Sequence, residues 1–570
     1  MFKLIAHLLC GAMISGSIRP ATAADATAPA TKIWLETSLH RVFPASPAGT
    51  RTELPLASAR NQKVSFQAVI RNESTSAIDV DCNVTAPEGV QLLARRVGYV
   101  PLPHHTTNVP PEEQDGLGFV PGLVPDPLFA EHTAKVGPLE NQSFWITVTV
   151  PAATQPGQKD VTVKLTGTIG KEKTQVPLGT LTAHVNVHAL VLQPRHDFPV
   201  THWWHADAIY EAYKIEPFGE RWWQLVEMHM RDMVAHGSNM IIVPLFHQRT
   251  EIVPRPCQMV GVQVTSPDHY RFDFTATKRF VELAKRNGIQ YFEFPHLWLY
   301  WEVKYPIHIY RHQGNQWSLL WPADAPATTG PYLAFLQQFL PALDTFLTDE
   351  NILEQSYFHI SDEPGGAVVE NYRKARALLN ELAPWTKGRV LDALSDVVYG
   401  KQGLVDIPVP LLPSDEKYRE ANIPHWVYYC TGPRGKFLNR FFDTPLTKVR
   451  MSGFLFYHLQ AKGFLHWGYD YWFKMDTQEV PNLFQEGSGY GWPGIAYGDP
   501  FVVYPGPDGP LDSIRWEVFA ESLQDYQLLQ SAGVPYDSPM LKELKTYADF
   551  PKSEEWIQKA VLAVLEKKKE

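Results

Sequence analysis

An antiparallel β-sandwich followed by a (β/α)8 TIM-like barrel, with a C-terminal extension packed on the barrel, is the multidomain fold this sequence predicts. Residues 32–194 either alternate apolar and polar positions or cluster β-branched residues, and they show no helical periodicity. Beyond Pro194, short apolar runs alternate with amphipathic stretches, the pattern of parallel βα units. Charged and aromatic residues gather where those apolar runs stop, the end at which such barrels carry their sites.

Residues 1–23 read as a secretory signal peptide. Lys3 precedes an apolar run from Leu4 to Ile18, and Ala21-Thr22-Ala23 matches a small-residue cleavage pattern. Cys10 follows Leu8-Leu9 and lacks the small residue that precedes a lipidated cysteine, so a cleaved, secreted or periplasmic product is expected. No later run approaches the ~20 apolar residues of a membrane span. Cleavage leaves Cys82, Cys257 and Cys430, an odd set without C-x-x-C spacing, so at most one disulfide can form and no structural zinc is expected.

The sandwich, residues 32–194, rests on the runs Ile33 to Val42, Val64 to Arg71, Phe144 to Val150, Val161 to Leu165 and Leu181 to Leu192. Turn signals such as Asn72-Glu73-Ser74, Pro87-Glu88-Gly89 and Pro156-Gly157 separate them. A Pro-rich excursion from Pro101 to Pro127 interrupts the pattern. A loop of that length either contacts ligand or braces a neighbouring domain.

The barrel, residues 195–475, has eight candidate strands: Pro199 to Trp204, Met240 to Phe246, Gln290 to His296, Tyr357 to Ile360, Arg389 to Leu394, Ile407 to Leu412, His425 to Cys430 and Gly463 to Tyr469. Helical patterns fall at about 217–236, 276–287, 331–348, 366–382 and 444–462. A doubly wound open sheet is the alternative. Residues 476–570 form the extension, with a Gly-rich loop from Gly487 to Gly494 and a helix running through Leu529.

Composition narrows the partners. A net charge of −10 provides no basic field for nucleic acid or anionic membranes. Aromatic residues make up 12% of the chain, a supply of flat faces suited to stacking sugar rings as well as to filling cores. No G-x-G-x-x-G follows the first strand and no Walker sequence occurs, so no nucleotide cofactor is expected. The histidines lack the H-x-x-x-H spacing that sets two imidazoles on one helical face, so neither a metal nor any other cofactor is expected.

Gln355 to Pro364, Q-S-Y-F-H-I-S-D-E-P, carries the strongest chemical signal. An apolar strand stops abruptly at Ser361, and Asp362 and Glu363 set two adjacent carboxylates on a strand-to-helix loop. Ser361 or Asp362 could instead cap the following helix. Other strand ends supply Trp204 and His205, His296, Asp396, Tyr428 and Tyr429, then Trp467, Asp470 and Trp472. Carboxylates ringed by aromatics describe a pyranose site, because apolar sugar faces stack on rings while hydroxyls bond the acids.

Toward its end the chain contains Tyr504-Pro505-Gly506, Ser513-Ile514-Arg515-Trp516-Glu517 and Gln524-Asp525-Tyr526, in that order. With Ser361-Asp362-Glu363-Pro364, Tyr428 to Pro433, Lys462 to Gly468 and Asp126-Pro127-Leu128, this series resembles proteins with the domain of unknown function 4091. Those proteins group with glycoside hydrolase family 123, the β-N-acetylgalactosaminidases. Ala520 and Glu521 depart from the basic and acidic residues usual before the Q-D-Y segment.

The resemblance implies a retaining exo-glycosidase that uses the substrate's own 2-acetamido group as nucleophile, through an oxazoline intermediate. It also implies a glycan partner ending in β-linked N-acetylgalactosamine, or the glucosamine epimer. Glu363, the longer arm, would be general acid/base; Asp362 would orient the acetamide and stabilise the oxazolinium; Tyr428 or Tyr429 would donate to the acetamide oxygen. Trp204, His205, His296, Asp396, Trp467, Asp470 and Trp472 would line the sugar pocket. Adjacent residues of a regular strand point to opposite faces, so the two acids can converge only if the backbone turns there. A non-catalytic carbohydrate-binding protein is the alternative of another class.

Overall fold

The computed structural model describes residues 30–169, 174–247, 256–313, 316–474, 477–486 and 496–567; the expected signal peptide and the Gly-rich loop lie outside them. Residues 31–191 form two five-stranded sheets. One has the order Thr31–Thr37, Gln62–Asn72, Asn141–Val150, Gln91–Leu102, Gly122–Phe129. The other runs Glu53–Arg60, Thr174–Val191, Gly157–Ile169, Ile78–Thr85, Thr133–Val136. Pairing is antiparallel except where Glu53–Arg60 joins Thr174–Val191. Strand periodicity is plain from Leu181 to Val187, where Leu181, Ala183, Val185 and Val187 are buried and the residues between them are not. Their side chains meet Phe66, Ile70, Phe144 and Ile146 from the facing sheet, so the layers pack as a sandwich.

The expected excursion from Pro101 to Pro127 is shorter than the sequence implied, because Gly122–Phe129 pairs with Gln91–Leu102 as an edge strand. Prolines are tolerated there because an edge strand leaves one row of backbone groups without ladder partners. The remaining loop acts as a brace. Asp115 donates its backbone N–H to Asp443, and Thr106 bonds the Asp443 carboxylate through both its N–H and its hydroxyl.

The second region contains eight short parallel strands: β1 (Val200–His202), β2 (Met240–Ile242), β3 (Tyr291–Phe294), β4 (Ser356–Phe358), β5 (Leu391–Ala393), β6 (Ile407–Val409), β7 (Val427–Tyr428) and β8 (Phe464–His466). Six make one parallel sheet in the order β4-β3-β2-β1-β8-β7, a half-barrel, while β5 and β6 pair separately. The expected complete barrel ladder is thus replaced by two parallel sheets. Single parallel bridges, Phe358 to Val390 and Leu411 to Tyr428, link them at both edges. Helices Glu220–Ala235, Thr275–Arg286, Gly330–Asp349 and Val369–Leu382 follow β1 to β4 in turn, at the periodicity read from the sequence.

The motifs of the C-terminal extension build the junction between the regions. Arg515 grips Asp126 with two nitrogens, at 2.9 and 3.1 Å, and Tyr504 donates to the same carboxylate at 2.7 Å. Glu517 and Asp512 bond Arg95 of the sandwich. Gln524 exchanges hydrogen bonds with the Lys63 backbone, and Asp525 and Glu521 both hold Arg450. Glu521 therefore bonds Arg450 and the Ser38 hydroxyl rather than pairing along its own helix. Cys82, Cys257 and Cys430 are all free thiols. No helix among the described residues is long and apolar enough to cross a membrane.

Candidate active site

Strand β4 delivers the acidic pair. Ladder pairing ends at Phe358, and Glu363 adopts φ +47°, the left-handed conformation that an L side chain rarely takes. This turn breaks the strand's alternation and keeps Glu363 on the same crest as Asp362. Asp362 is half-buried and Glu363 exposed. Neither Ser361 nor Asp362 caps the helical turns that follow; Ser361 instead donates its hydroxyl to the Leu299 carbonyl at 2.9 Å. The Tyr428 hydroxyl, from the end of β7, donates to Glu363 Oε1 at 2.6 Å.

Beneath the pair lies a buried ionic array that the sequence reading missed. His359 donates from Nε2 to Glu293 at 2.6 Å and from Nδ1 to Asp392 at 2.9 Å. Asp392 also accepts the Ile360 N–H and the Tyr372 hydroxyl, while Glu293 accepts Trp203 Nε1 and the Thr201 hydroxyl. Burial alone would lower the imidazole, but hydrogen bonds and charges from Asp392 and Glu293 override it and hold His359 at about 10, a fixed cation. Burial, then the charges of Glu363 and Asp392, push Asp362 up to about 7, against the opposing pull of His359 and of the Trp301 indole N–H. Asp362 is thus the carboxyl of the pair that keeps its proton toward neutrality, because ionising it in a buried place beside Glu363 and Asp392 is unfavourable.

His296, His359 and Asp392 bring possible metal-ligand atoms within 4.8 Å of one another. Both nitrogens of His359 donate to carboxylates, leaving no lone pair for an ion, so the cluster fits an ion pair better than a metal site. The second such group, Asp232, His236 and Asp512, sits at the junction with the sandwich, where His236 lies against Glu517, itself bonded to Arg95.

The structure sorts the remaining expected site residues. His296 sits under the crest, ring edge against Tyr300 at 4.7 Å, and is held neutral by burial and the neighbouring His359 charge. Trp467, His205 and Asp470 form a neighbouring group: Asp470 accepts the His205 N–H at 2.7 Å, and Trp467 Nε1 donates to Asp499 at 2.9 Å. Cys430 lies between the groups, its thiol raised by burial and then by Asp499, Glu363 and Asp362.

Four other expected residues take structural places. Trp204 packs on Trp222 and Phe280 in the core, because alternation gives the site side to its neighbour Trp203. Tyr429 is fully buried against Phe464 and His466. Trp472 is buried with its N–H on the Val503 carbonyl. Asp396 caps the helix Val397–Lys401, accepting the Val398 N–H at 2.9 Å. The missed residues did carry a signal: Glu293, His359 and Asp392 are lone polar residues inside the apolar runs Y-F-E-F, Y-F-H-I and V-L-D-A.

Comparison with known proteins follows this geometry. The family model described as the catalytic domain of glycoside hydrolase 123 matches residues 203–532. No curated protein matches the chain. A family 123 glycoside hydrolase from Clostridium perfringens, studied for glycolipid glycan hydrolysis, superposes with a TM-score of 0.70 at 13% identity, covering 94% of this chain and 97% of its own. That likeness establishes a common fold. A β-glucuronidase from Bacteroides uniformis aligns with a TM-score of only 0.30 at 12% identity, over 84% of this chain and 49% of its own.

Proposed function

The chain belongs to glycoside hydrolase family 123, whose catalytic-domain model covers more than half of it, and on that premise we propose a secreted, retaining exo-glycosidase that releases terminal β-linked N-acetylgalactosamine by substrate-assisted catalysis. The observation that carries this reading is the crest at Asp362 and Glu363, where a left-handed turn keeps two carboxylates together and Tyr428 holds the outer one. Secretion is proposed from the leader at residues 1–23. Closure of the eight strands into a (β/α)8 barrel is proposed from the bridges at Val390 and Leu411.

In this mechanism the proton held by Asp362 passes to Glu363, and Glu363, exposed and long-armed, delivers it to the glycosidic oxygen as the bond breaks. The acetamide oxygen attacks the anomeric carbon from the opposite face. Asp362, now a carboxylate beside the emerging charge, accepts the acetamide N–H and stabilises the oxazolinium. Tyr428 donates its one hydroxyl hydrogen to the Glu363 carboxylate, and once Glu363 takes up the proton that hydrogen is released for the acetamide oxygen. Water then opens the oxazoline, with Glu363 as base, and configuration is retained. Because the sugar supplies the nucleophile, the carboxylate separation of a two-carboxylate glycosidase is not required.

The test is hydrolysis of a chromogenic β-N-acetylgalactosaminide beside its glucosamine epimer and a 2-hydroxy galactoside with the same aglycone. The reading expects cleavage of the acetamido substrates, and loss in kcat as well as KM for the 2-hydroxy compound. Efficient cleavage of the 2-hydroxy glycoside, with a trapped ester on the protein, would overturn the mechanism. Binding of these sugars without hydrolysis would instead support a carbohydrate-binding protein.

A further inference from the structure

Residues 297–306 form a tight turn fastened to the end of β4. Leu297 and Trp298 donate backbone N–H groups to the His359 and Ile360 carbonyls at 3.3 and 3.0 Å, and Ser361 bonds the Leu299 carbonyl. Across the turn, Leu299 donates to Tyr305 and Val303 donates to Leu299. Two residues in this turn take left-handed backbone, Trp301 at φ +60° and Val303 at φ +53°. Neither residue type favours that conformation, which costs about 1 kcal/mol or more apiece relative to glycine. Val303 is buried and anchors the turn, whereas Trp301 at its tip is 54% exposed.

A single exposed tryptophan is unremarkable on a protein surface. One held in strained backbone beside two carboxylates calls for a reason. We propose that Trp301 is a specificity-determining residue whose indole face forms the stacking platform for a pyranose ring on the leaving-group side of the scissile bond. This rests on the hydrolase reading above.

Depth in the site assigns the side. The terminal sugar must sit against half-buried Asp362, the glycosidic oxygen must meet exposed Glu363, and whatever lies beyond that oxygen is farther out still. Trp301 is the exposed aromatic at that level. Tyr428, His296 and Trp298 near the crest are all buried. A pyranose presents an apolar C–H face that a ring can cover while its hydroxyls stay in water, the arrangement a fixed, half-open indole suits. The indole N–H also acts on Asp362, which ties the ring to the crest.

The experiment compares kcat/KM for two substrates of whichever epimer the parent cleaves faster: a disaccharide, whose leaving group is a sugar, and the methyl glycoside, whose leaving group offers no ring. Trp301→Ala should lose roughly tenfold more on the disaccharide, the order of one aromatic stacking contact, than on the methyl glycoside, because removing the indole N–H beside Asp362 affects both substrates alike. Trp301→Phe, which keeps a ring but no N–H, should retain most of the preference. Trp301→Gly should show the same selective loss with a melting temperature no lower than the parent's, since glycine accepts the backbone without strain. Equal loss on both substrates, no loss on the disaccharide, or a Phe variant as impaired as Ala would overturn the platform. A parent that cleaves neither glycoside would overturn the hydrolase reading and this inference together; a parent that cleaves both, with an unchanged ratio in Trp301→Ala, would overturn the platform alone.

Discussion

Asp362→Asn should make the protein more stable at neutral pH and leave it almost unchanged near pH 4. An unfolded Asp ionises at 3.8, whereas burial and the neighbouring Glu363 and Asp392 charges hold folded Asp362 protonated up to about 7. Between those values folding takes up a proton, so this group's contribution to stability falls as pH rises and reaches its full cost above pH 7. At about 1.4 kcal/mol per pH unit, the displacement from 3.8 to about 7 sets an upper bound of roughly 4–5 kcal/mol. Asp362 keeps some contact with solvent, and screening reduces this to about 1–2 kcal/mol. Asparagine has nearly the same shape and never ionises, so the variant escapes the cost. Calorimetric melting of parent and variant at matched scan rate, from pH 4 to 8.5, should show a gap opening to a few degrees and levelling off above pH 7. Glu363→Gln should reproduce only part of it, because burial of Asp362 remains. A gap of constant size across the range, or none at pH 8, would refute the assignment of the raised carboxyl.

Glu363→Gln should reduce turnover of an unactivated disaccharide by about 10²–10⁴-fold, and less with a nitrophenyl leaving group that needs little protonation; steady-state kinetics on the two substrates checks this. His359, raised to about 10 from an unfolded value of 6.5, contributes stability that is complete below pH 6.5 and lost as pH climbs through 10. Melting curves of the parent should therefore decline over that window, and His359→Gln should remove the decline while lowering stability by about 3–5 kcal/mol, since Glu293 and Asp392 are left buried without their cation. Asp126→Asn strips the carboxylate from buried Arg515 and should cost a similar 3–5 kcal/mol, read as a lower denaturation midpoint with kcat unchanged in the protein that remains folded.

Local pattern carried most of the fold. Seven of the eight parallel strands lie within runs visible as apolar residues bounded by turn signals, β4 begins one residue ahead of its run, and the helices after β1 to β4 fall within a few residues of their periodic stretches; the short antiparallel pairs such as Gly261–Ser266 with His269–Asp273 were not foreseen. Strand lengths were overestimated because an apolar run continues past the last ladder pair when the loop beyond it is also buried, as at Ile360 and Ser361. Strands such as Glu53–Arg60 and Gln91–Leu102 were overlooked, since their exposed and half-buried positions dilute the alternation. The ionic array was harder to see. His359 stands 66 residues from Glu293 and 33 from Asp392, and only the parallel neighbours β3, β4 and β5 bring the three together.

Side-chain parity explains why adjacent aromatic pairs misled. In Trp203-Trp204 and Tyr428-Tyr429 composition is identical at both positions, and only the direction of the strand decides that Trp203 reaches Glu293 while Trp204 joins the core, or that Tyr428 reaches Glu363 while Tyr429 is buried. The acidic pair is the informative exception. Parity would send Asp362 and Glu363 to opposite faces, so a crest bearing both exists only because Glu363 leaves the strand through a left-handed turn. A glycine would take that turn without strain but could carry no acid. The strain is therefore inseparable from having two carboxylates in consecutive positions, and it is held in place by the surroundings of the turn: Tyr428 on Glu363, Leu299 bonded by Ser361, and the His359 cation beneath.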